Sequence, residues 1–191
     1  IENMEQPLFP GNSFATPYFI QYGLKPIDAD GADRFVYAIS NNGFWDNGDA
    51  MILGRISRAK MQNLRGRDWE YYAGGNGRHD SAWAAKAEEA KPILQSPGKF
   101  GMTGAVYVPH RRRYLMVTWY YPAGGGKMKG AASETIWDFY ESPRPWGPWT
   151  SIGRRHFSPE GYYCPQICPK FLTRNRAYIW TAGNWNDPRF Y

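Results

Sequence analysis

Arg113-Tyr114-Leu115-Met116-Val117, with Trp119-Tyr120-Tyr121 close behind it, is the clearest copy of a pattern that the chain uses three times. The other copies are Arg34-Phe35-Val36-Tyr37-Ala38, followed by Phe44-Trp45, and Arg176-Ala177-Tyr178-Ile179-Trp180, followed by Trp185. In each, an arginine closes a turn, an apolar and aromatic run suits a strand, and a loop of small residues follows. The pattern returns after 79 and then 63 residues. A β pattern that recurs on this scale is one supersecondary unit built repeatedly, and its usual product is a radial or stacked all-β array. Such an array gathers equivalent loops on one face, which is where function is sought.

The rest of the chain agrees with that reading. Aromatic residues make up 17% of 191 residues, with 9 Trp and 14 Tyr, and 21 Gly and 15 Pro supply turns. This balance favours short strands and shaped loops over helices, within a single domain spanning 1–191. Its units are 13–74, 100–153 and 162–191, the last about half the size of the others. The first predicts strands at Ser13–Tyr22, Arg34–Ser40, Ala50–Arg58 and Asp68–Ala73. The second predicts Gly101–Val108, Tyr114–Tyr121, Glu134–Glu141 and Trp146–Ile152. The third predicts Cys164–Leu172 and Ala177–Ala182. Between the first two units, Asp80 is placed to cap a short helix over 81–90, which Pro92 stops.

Net charge is +6. It fits a solvated surface rich in Arg, or a mild attraction to an acidic partner such as a uronic-acid polymer. The only tight basic run is His110-Arg111-Arg112-Arg113, which argues against a nucleic-acid partner. No apolar run reaches the ~18 residues of a membrane helix, so no membrane partner is expected. Ile1-Glu2-Asn3-Met4 lacks the basic and apolar parts of a secretory leader, as a mature secreted chain also would; the expected location is secreted or extracytoplasmic. Cys164 and Cys168 lie four apart, roughly 13 Å along a strand at ~3.3 Å per residue, too far to bridge unless the chain bends at Pro165. They are expected to be two buried thiols. His79, His110 and His156 are dispersed, so no metal site is expected.

Glu141-Ser142-Pro143-Arg144-Pro145-Trp146-Gly147-Pro148-Trp149-Thr150 resembles the S-x-x-x-x-GPW turn between strands of carbohydrate-active β-propellers. These are five-bladed furanosidase-type glycoside hydrolases (arabinanases, xylosidases, fructosidases) and related hydrolase-like propellers. Asn47 to Ile56 resembles their GD-x-x-x-LGR strand, and Trp69-Glu70-Tyr71-Tyr72-Ala73-Gly74 the W-E-Y-Y-x-G strand that follows. The resemblance covers most of 33–185 and implies four-stranded antiparallel blades, about two and a half of them here. A closed propeller needs more, so the remaining blades come from further sequence or from other chains. These families place a catalytic Asp in the first blade, and nothing before Asp28 matches it.

The resemblance also implies a geography. Loops joining the second and third strands, and crossings between blades, border the binding face. They bring Phe44, Trp45, Asp46 and Asp49 there from one loop. Another brings Trp119, Tyr120, Tyr121 and Glu134. The crossing after the second unit brings Arg155, His156, Glu160, Tyr162 and Tyr163, and the last loop brings Trp185. Aromatic walls with a few convergent polar groups are the usual form of a small-ligand site. Trp69, Trp137 and Trp149, inside strands, read as core. Trp45, Trp119 and Trp185, at strand ends, divide between core and ligand contact.

Three functions remain open. A glycoside hydrolase needs two carboxyl groups flanking the bond, to be drawn from Asp46, Asp49, Glu134 and Glu160, with Glu160 favoured because His156, Tyr162 and Tyr163 surround it in sequence. A lyase acting on a uronic-acid glycan needs a cation and a proton carrier, which Arg155, His156, Tyr162 and Tyr163 supply. A non-catalytic sugar-binding propeller needs the aromatics alone. No cofactor is expected, and Asp46-Asn47-Gly48-Asp49 lacks the full ligand ladder of a calcium loop.

Overall fold

Alternation along the strands sorts the side chains of this computed structural model onto the faces of stacked sheets. The structure describes residues 9, 11, 13–23, 32, 34–43, 45–46, 48–63, 65–122, 134–159 and 161–182, with no side-chain description of Ser81. The first sheet is a meander of β1 (Tyr18–Phe19), β2 (Phe35–Asn41), β3 (Gly48–Ser57) and β4 (Trp69–Tyr72), each antiparallel to the next. A one-turn helix, α1 (Arg58–Met61), follows β3. On the outer edge β5 (Trp83–Ala84) pairs with β4, and β6 (Leu94–Phe100) pairs with the start of β3. The second sheet runs β7 (Ala105–Val108), β8 (Arg113–Tyr120), β9 (Thr135–Ser142) and β10 (Thr150–Phe157), again all antiparallel. The pair β11 (Gln166–Ile167) and β12 (Ile179–Trp180) opens a third. These are the propeller-like units the repeat predicts: two complete blades and the inner part of another.

Consecutive blades stack through opposite faces. Tyr37 and Ile39 of β2, with Met51 and Leu53 of β3, pack against Tyr107, Tyr114 and Met116 of the second blade. The intervening residues Ala38, Ile52 and Ile56 turn the other way, onto Phe14, Trp69 and Tyr71. In the second blade Val106, Val108, Val117 and Trp119 face the third, against Ile167 and Ile179. Burial on both faces explains why the inner strands β2, β3 and β7 are largely apolar instead of alternating with polar residues. Trp69, Trp137 and Trp149 are buried as the sequence suggests.

The turn that carries the family resemblance is held by two side chains. Ser142 Oγ donates to the Arg144 carbonyl at 2.6 Å and accepts from the Arg144 N–H, and Trp149 Nε1 donates to the Pro145 carbonyl at 3.1 Å. Gly147 in between has φ +108, which favours glycine.

Three expectations are corrected. Residues 81–90 form no α-helix: single 3₁₀ turns at Asp80–Ala82 and Ala87–Glu89 flank β5. Pairing with Tyr72 and burial of Trp83 in the first core draw this stretch onto the sheet, overriding its Ala, Lys and Glu content. The last strand of the second blade runs Thr150–Phe157, beyond the expected Ile152, so Arg155 and His156 lie on the outermost strand and not in the crossing between blades. Cys164 and Cys168 are free thiols, each partly buried, not fully as expected. Cys164 takes a left-handed φ of +54, which is the bend beside Pro165.

Gly101 lies against the core between the second and third blades. A Cβ there would stand 2.4 Å from the Trp119 indole, which is fully buried. Gly101→Ala is expected to destabilise the fold by about 1–3 kcal/mol, the usual cost of overpacking. Urea unfolding checks it; an unchanged midpoint would contradict the packing described.

Candidate functional site

The inner strands of all three blades meet on one axis. A parallel bridge joins Gln21, just after β1, to Val106 of β7. The Gln21 N–H donates to the Ala105 carbonyl at 2.9 Å, and the Tyr107 N–H donates to the Gln21 carbonyl at 2.8 Å. Gly104, just before β7, stands against Tyr18 on one side and Gln166 of β11 on the other. Around this point lies a cavity of about 190 Å³ lined by Pro17, Tyr18, Phe19, Gln21, Gly104, Ala105, Val106, Gln166 and Ile167.

Its polar groups come from the inner strands. The Tyr18 hydroxyl and the Cys164 sulfur are 3.7 Å apart. Burial first, then the neighbouring thiol, push the Tyr18 pKa up to about 12, and burial raises that of Cys164. Gln166 is half-buried beside the same thiol, and its buried Nε2 finds no oxygen acceptor among the described residues. The channel therefore offers a hydroxyl, a primary amide and a second glutamine, and no lining carboxylate among the described residues.

Next to the channel is an aromatic nest. Trp119 lies at its base, fully buried, with its Nε1 donating to the Met102 carbonyl at 3.1 Å. Trp45, Tyr121 and Tyr163, each partly exposed, pack round it with ring centroids 5.7, 5.3 and 5.7 Å away. Asp46 is inside this nest at 2% exposure. Burial, then the Asp46 charge, then Tyr163 raise the Tyr121 pKa to about 12. The chain steps directly from nest to channel, since Tyr163 belongs to one and Cys164 to the other.

The structure thus brings together Trp45, Asp46, Trp119, Tyr121 and Tyr163, which the sequence singles out, and disperses the rest. Tyr120 points to the opposite face of β8, where Asp138 and Arg154 sit. Arg154 grips Asp138 through two hydrogen bonds of 2.6 and 2.9 Å. Asp49 is exposed and accepts from the Gly98 N–H at 2.7 Å, which fixes the turn within β6. Glu134 lies at the edge of the second blade, bonded to His156 at 3.1 Å and to Ser158, and these hydrogen bonds hold its carboxyl below the usual range. Arg155 lies over the Phe157 ring, 5.9 Å from its centroid. Tyr162 packs on Trp137 and Phe157, and its carbonyl accepts from Thr135 and from Trp137. Of the lyase set, Arg155 and Tyr162 both contact Phe157, His156 bonds Glu134, and Tyr163 joins the aromatic nest. Phe44, Glu160 and Trp185 lie outside the described residues. Among the described residues no group of three or more His, Cys, Asp or Glu could hold a metal ion.

Sequence reasoning misses Tyr18, Gln21, Gly104, Cys164 and Gln166. They surround the channel from short inner strands and the residues that flank them, which carry no long apolar run to mark them. The Gly104-Ala105 pair of small residues before a strand is the one signal that could have pointed there.

No family model and no curated protein matches the sequence. Solved structures do match. An exo-β-1,3-galactanase from Phanerochaete chrysosporium, in complex with galactose, aligns with a TM-score of 0.54 at 13% identity, over 94% of this chain and 36% of that one. A variant of the same galactanase with β-1,3-galactotriose aligns at 0.53, 14% identity, 91% and 33%. A GH43 protein from Bacillus licheniformis aligns at 0.50, 12% identity, 92% and 28%. These are five-bladed propeller glycoside hydrolases, and the chain has their blade architecture as a partial propeller. It spans about a third of their length.

The tyrosines set an alkaline limit. Tyr18, Tyr71 and Tyr121 move from an ordinary 10.0 to about 12 in the fold. Between those values the unfolded chain gives up protons that the folded chain keeps, so stability is full below pH 10 and falls as pH rises to 12. Denaturant midpoints measured across that window check the sign. In Asp46→Asn, Tyr121 is expected to titrate lower than in the parent yet still above 10, because burial remains. Tyrosine ring NMR reads this shift; an unmoved titration would separate Asp46 from the nest.

Proposed function

We propose that the chain is part of a carbohydrate-active propeller that holds a glycan at the mouth of its channel, with Trp45, Tyr121 and Tyr163 as the stacking wall and Tyr18, Gln21 and Gln166 as the hydroxyl-recognising groups. One observation carries the reading. An aromatic wall and a set of half-buried polar side chains, with the exposed Gln21 beside them, are joined through the consecutive residues Tyr163 and Cys164, at the axis where three inner strands meet. Sugar rings stack their C–H faces on aromatic rings while neighbouring polar groups fix the hydroxyls, and both parts are present side by side. The likeness in fold to galactan- and xylan-type hydrolases supports the substrate class without naming the sugar.

Hydrolysis is the catalytic form of this proposal. It needs a protonated and an ionised carboxyl group across one bond. Asp49 serves a turn, Glu134 serves His156 and Ser158, and Asp46 is shut away from solvent under the aromatic nest. Glu160 is therefore the residue to test for turnover.

Retention of the protein in gels containing β-1,3-galactan, xylan, arabinan or polygalacturonate measures the binding. Tyr163→Ala and Gln166→Ala are each expected to weaken retention on the preferred glycan by about tenfold, ~1.4 kcal/mol. Equal retention of parent and both variants would refute the channel as the site. Glu160→Gln tests the catalytic form: loss of released reducing ends with binding intact supports hydrolysis by this chain, and unchanged release excludes Glu160.

A further inference from the structure

A second cavity, of about 320 Å³, opens at the far end of the first blade and is lined by Arg34, Phe35, Tyr37, Arg55, Gly77, Arg78, Asp80 and Trp146. It is remote from the channel mouth. Arg34 precedes β2 and Arg55 is near the end of β3, whereas Trp45 and Asp46 lie in the turn at the other end of the same two strands. Trp146, from the second blade, forms the opposite wall.

Arg55 is the unusual residue here. A charged side chain only 4% exposed sits in the middle strand of a sheet. The Phe35 and Trp83 rings both pack on its guanidinium, their centroids each 4.1 Å from the Arg55 Cζ. Its donors lie in the guanidinium plane, so partners reach it only at the rim. Glu70 takes Nε at 2.8 Å. Asp80 stands 3.6 Å from Nη2, too far for a hydrogen bond, and its own side chain is fully exposed. No other acceptor reaches this guanidinium among the described residues. Arg34 and Arg78, both exposed, border the same space. The lining therefore sets three guanidinium groups against one loosely held carboxylate.

We propose that this cavity is an oxyanion-binding site, in which a carboxylate, sulfate or phosphate group displaces Asp80 and bonds to the free edge of Arg55, with Arg34 and Arg78 completing its neutralisation. A guanidinium packed against two rings is pre-organised for a planar or tetrahedral oxyanion, because its fork is fixed before the ligand arrives. The volume is near the lower bound of small-ligand sites, about 300 Å³, and limits the ligand to the anionic group with no more than a small body attached. Asp80 acts as the resident competitor: its carboxylate is fully exposed and makes no hydrogen bond to Arg55, so its displacement costs little. This site is independent of the glycan reading of the channel and stands or falls separately from it.

Trp83 and Trp146 border the site, so intrinsic fluorescence reports its occupancy. The intact chain is titrated with sodium sulfate, sodium phosphate and sodium glucuronate at constant ionic strength, with glucose as the neutral control. Saturable change with at least one anion and none with glucose is expected. Asp80→Asn is expected to tighten binding about threefold or more, and Arg78→Ala to weaken it by at least as much. Both residues are exposed, so neither variant endangers the fold. Stronger binding of glucuronate than of the inorganic ions makes the ligand an acidic sugar, and the reverse order makes it free sulfate or phosphate; both orders support the site. Absence of saturation below ~50 mM for every anion, or affinities that neither substitution moves, overturns the proposal and leaves Arg55 as a clamp for the 77–80 loop.

Discussion

Three blades meet at a residue without a side chain. A Cβ on Gly104 would stand 3.2 Å from Gln166 Oε1 and 3.3 Å from Tyr18 Cβ, tighter than side chains ordinarily pack. The absence of that atom lets β1, β7 and β11 approach one axis, and the Gln21 to Val106 bridge then fixes two of them in parallel. The other strands of each blade follow outward in antiparallel order. Blade contacts repeat the theme: Gly101 leaves room for the Trp119 indole, and Gly77 for that of Trp146, with the hypothetical Cβ atoms only 2.4 and 2.2 Å from the two rings. Large aromatic side chains fill the wedges between blades, and glycines on the facing backbone make the space for them.

This arrangement explains why aromatic content alone is a poor guide to the site. Trp119, Trp137, Trp146 and Trp149 are buried where blades stack, and Trp69 is buried on the other face of the first blade, against Phe14. The aromatics that remain open near the axis are those whose strands have just ended: Trp45 after β2, Tyr121 after β8 and Tyr163 before β11. Trp119 supports them from below. The two cavities divide the chemistry between two ends of the propeller segment. One combines aromatic walls with neutral hydrogen-bonding groups; the other combines aromatic walls with guanidinium groups.

The blade order was legible from the spacing of three arginine-led strands, because a strand buried on both faces must be apolar throughout and must end at a turn. The GPW turn was legible for a local reason, since Ser142 and Trp149 close it through their own side chains. The channel was not legible. Tyr18, Gly104 and Gln166 belong to segments of two to four residues whose meeting is decided by blade stacking, at separations along the chain that no local pattern encodes. The same limit misplaced Arg155 and His156: an expected end of β10 at Ile152 set them in a crossing, whereas pairing with Ile136 and Trp137 carries the strand through them. Asp46 was singled out from its loop, and its burial beside Tyr121 could only come from three dimensions.

The most direct test is a structure of the protein with the glycan that the binding assay selects. The account predicts a sugar ring within hydrogen-bonding distance of Tyr18 and Gln166, with a face against Tyr163. A ring seated elsewhere, such as beside His156 and Glu134 on the outer strand, would contradict it.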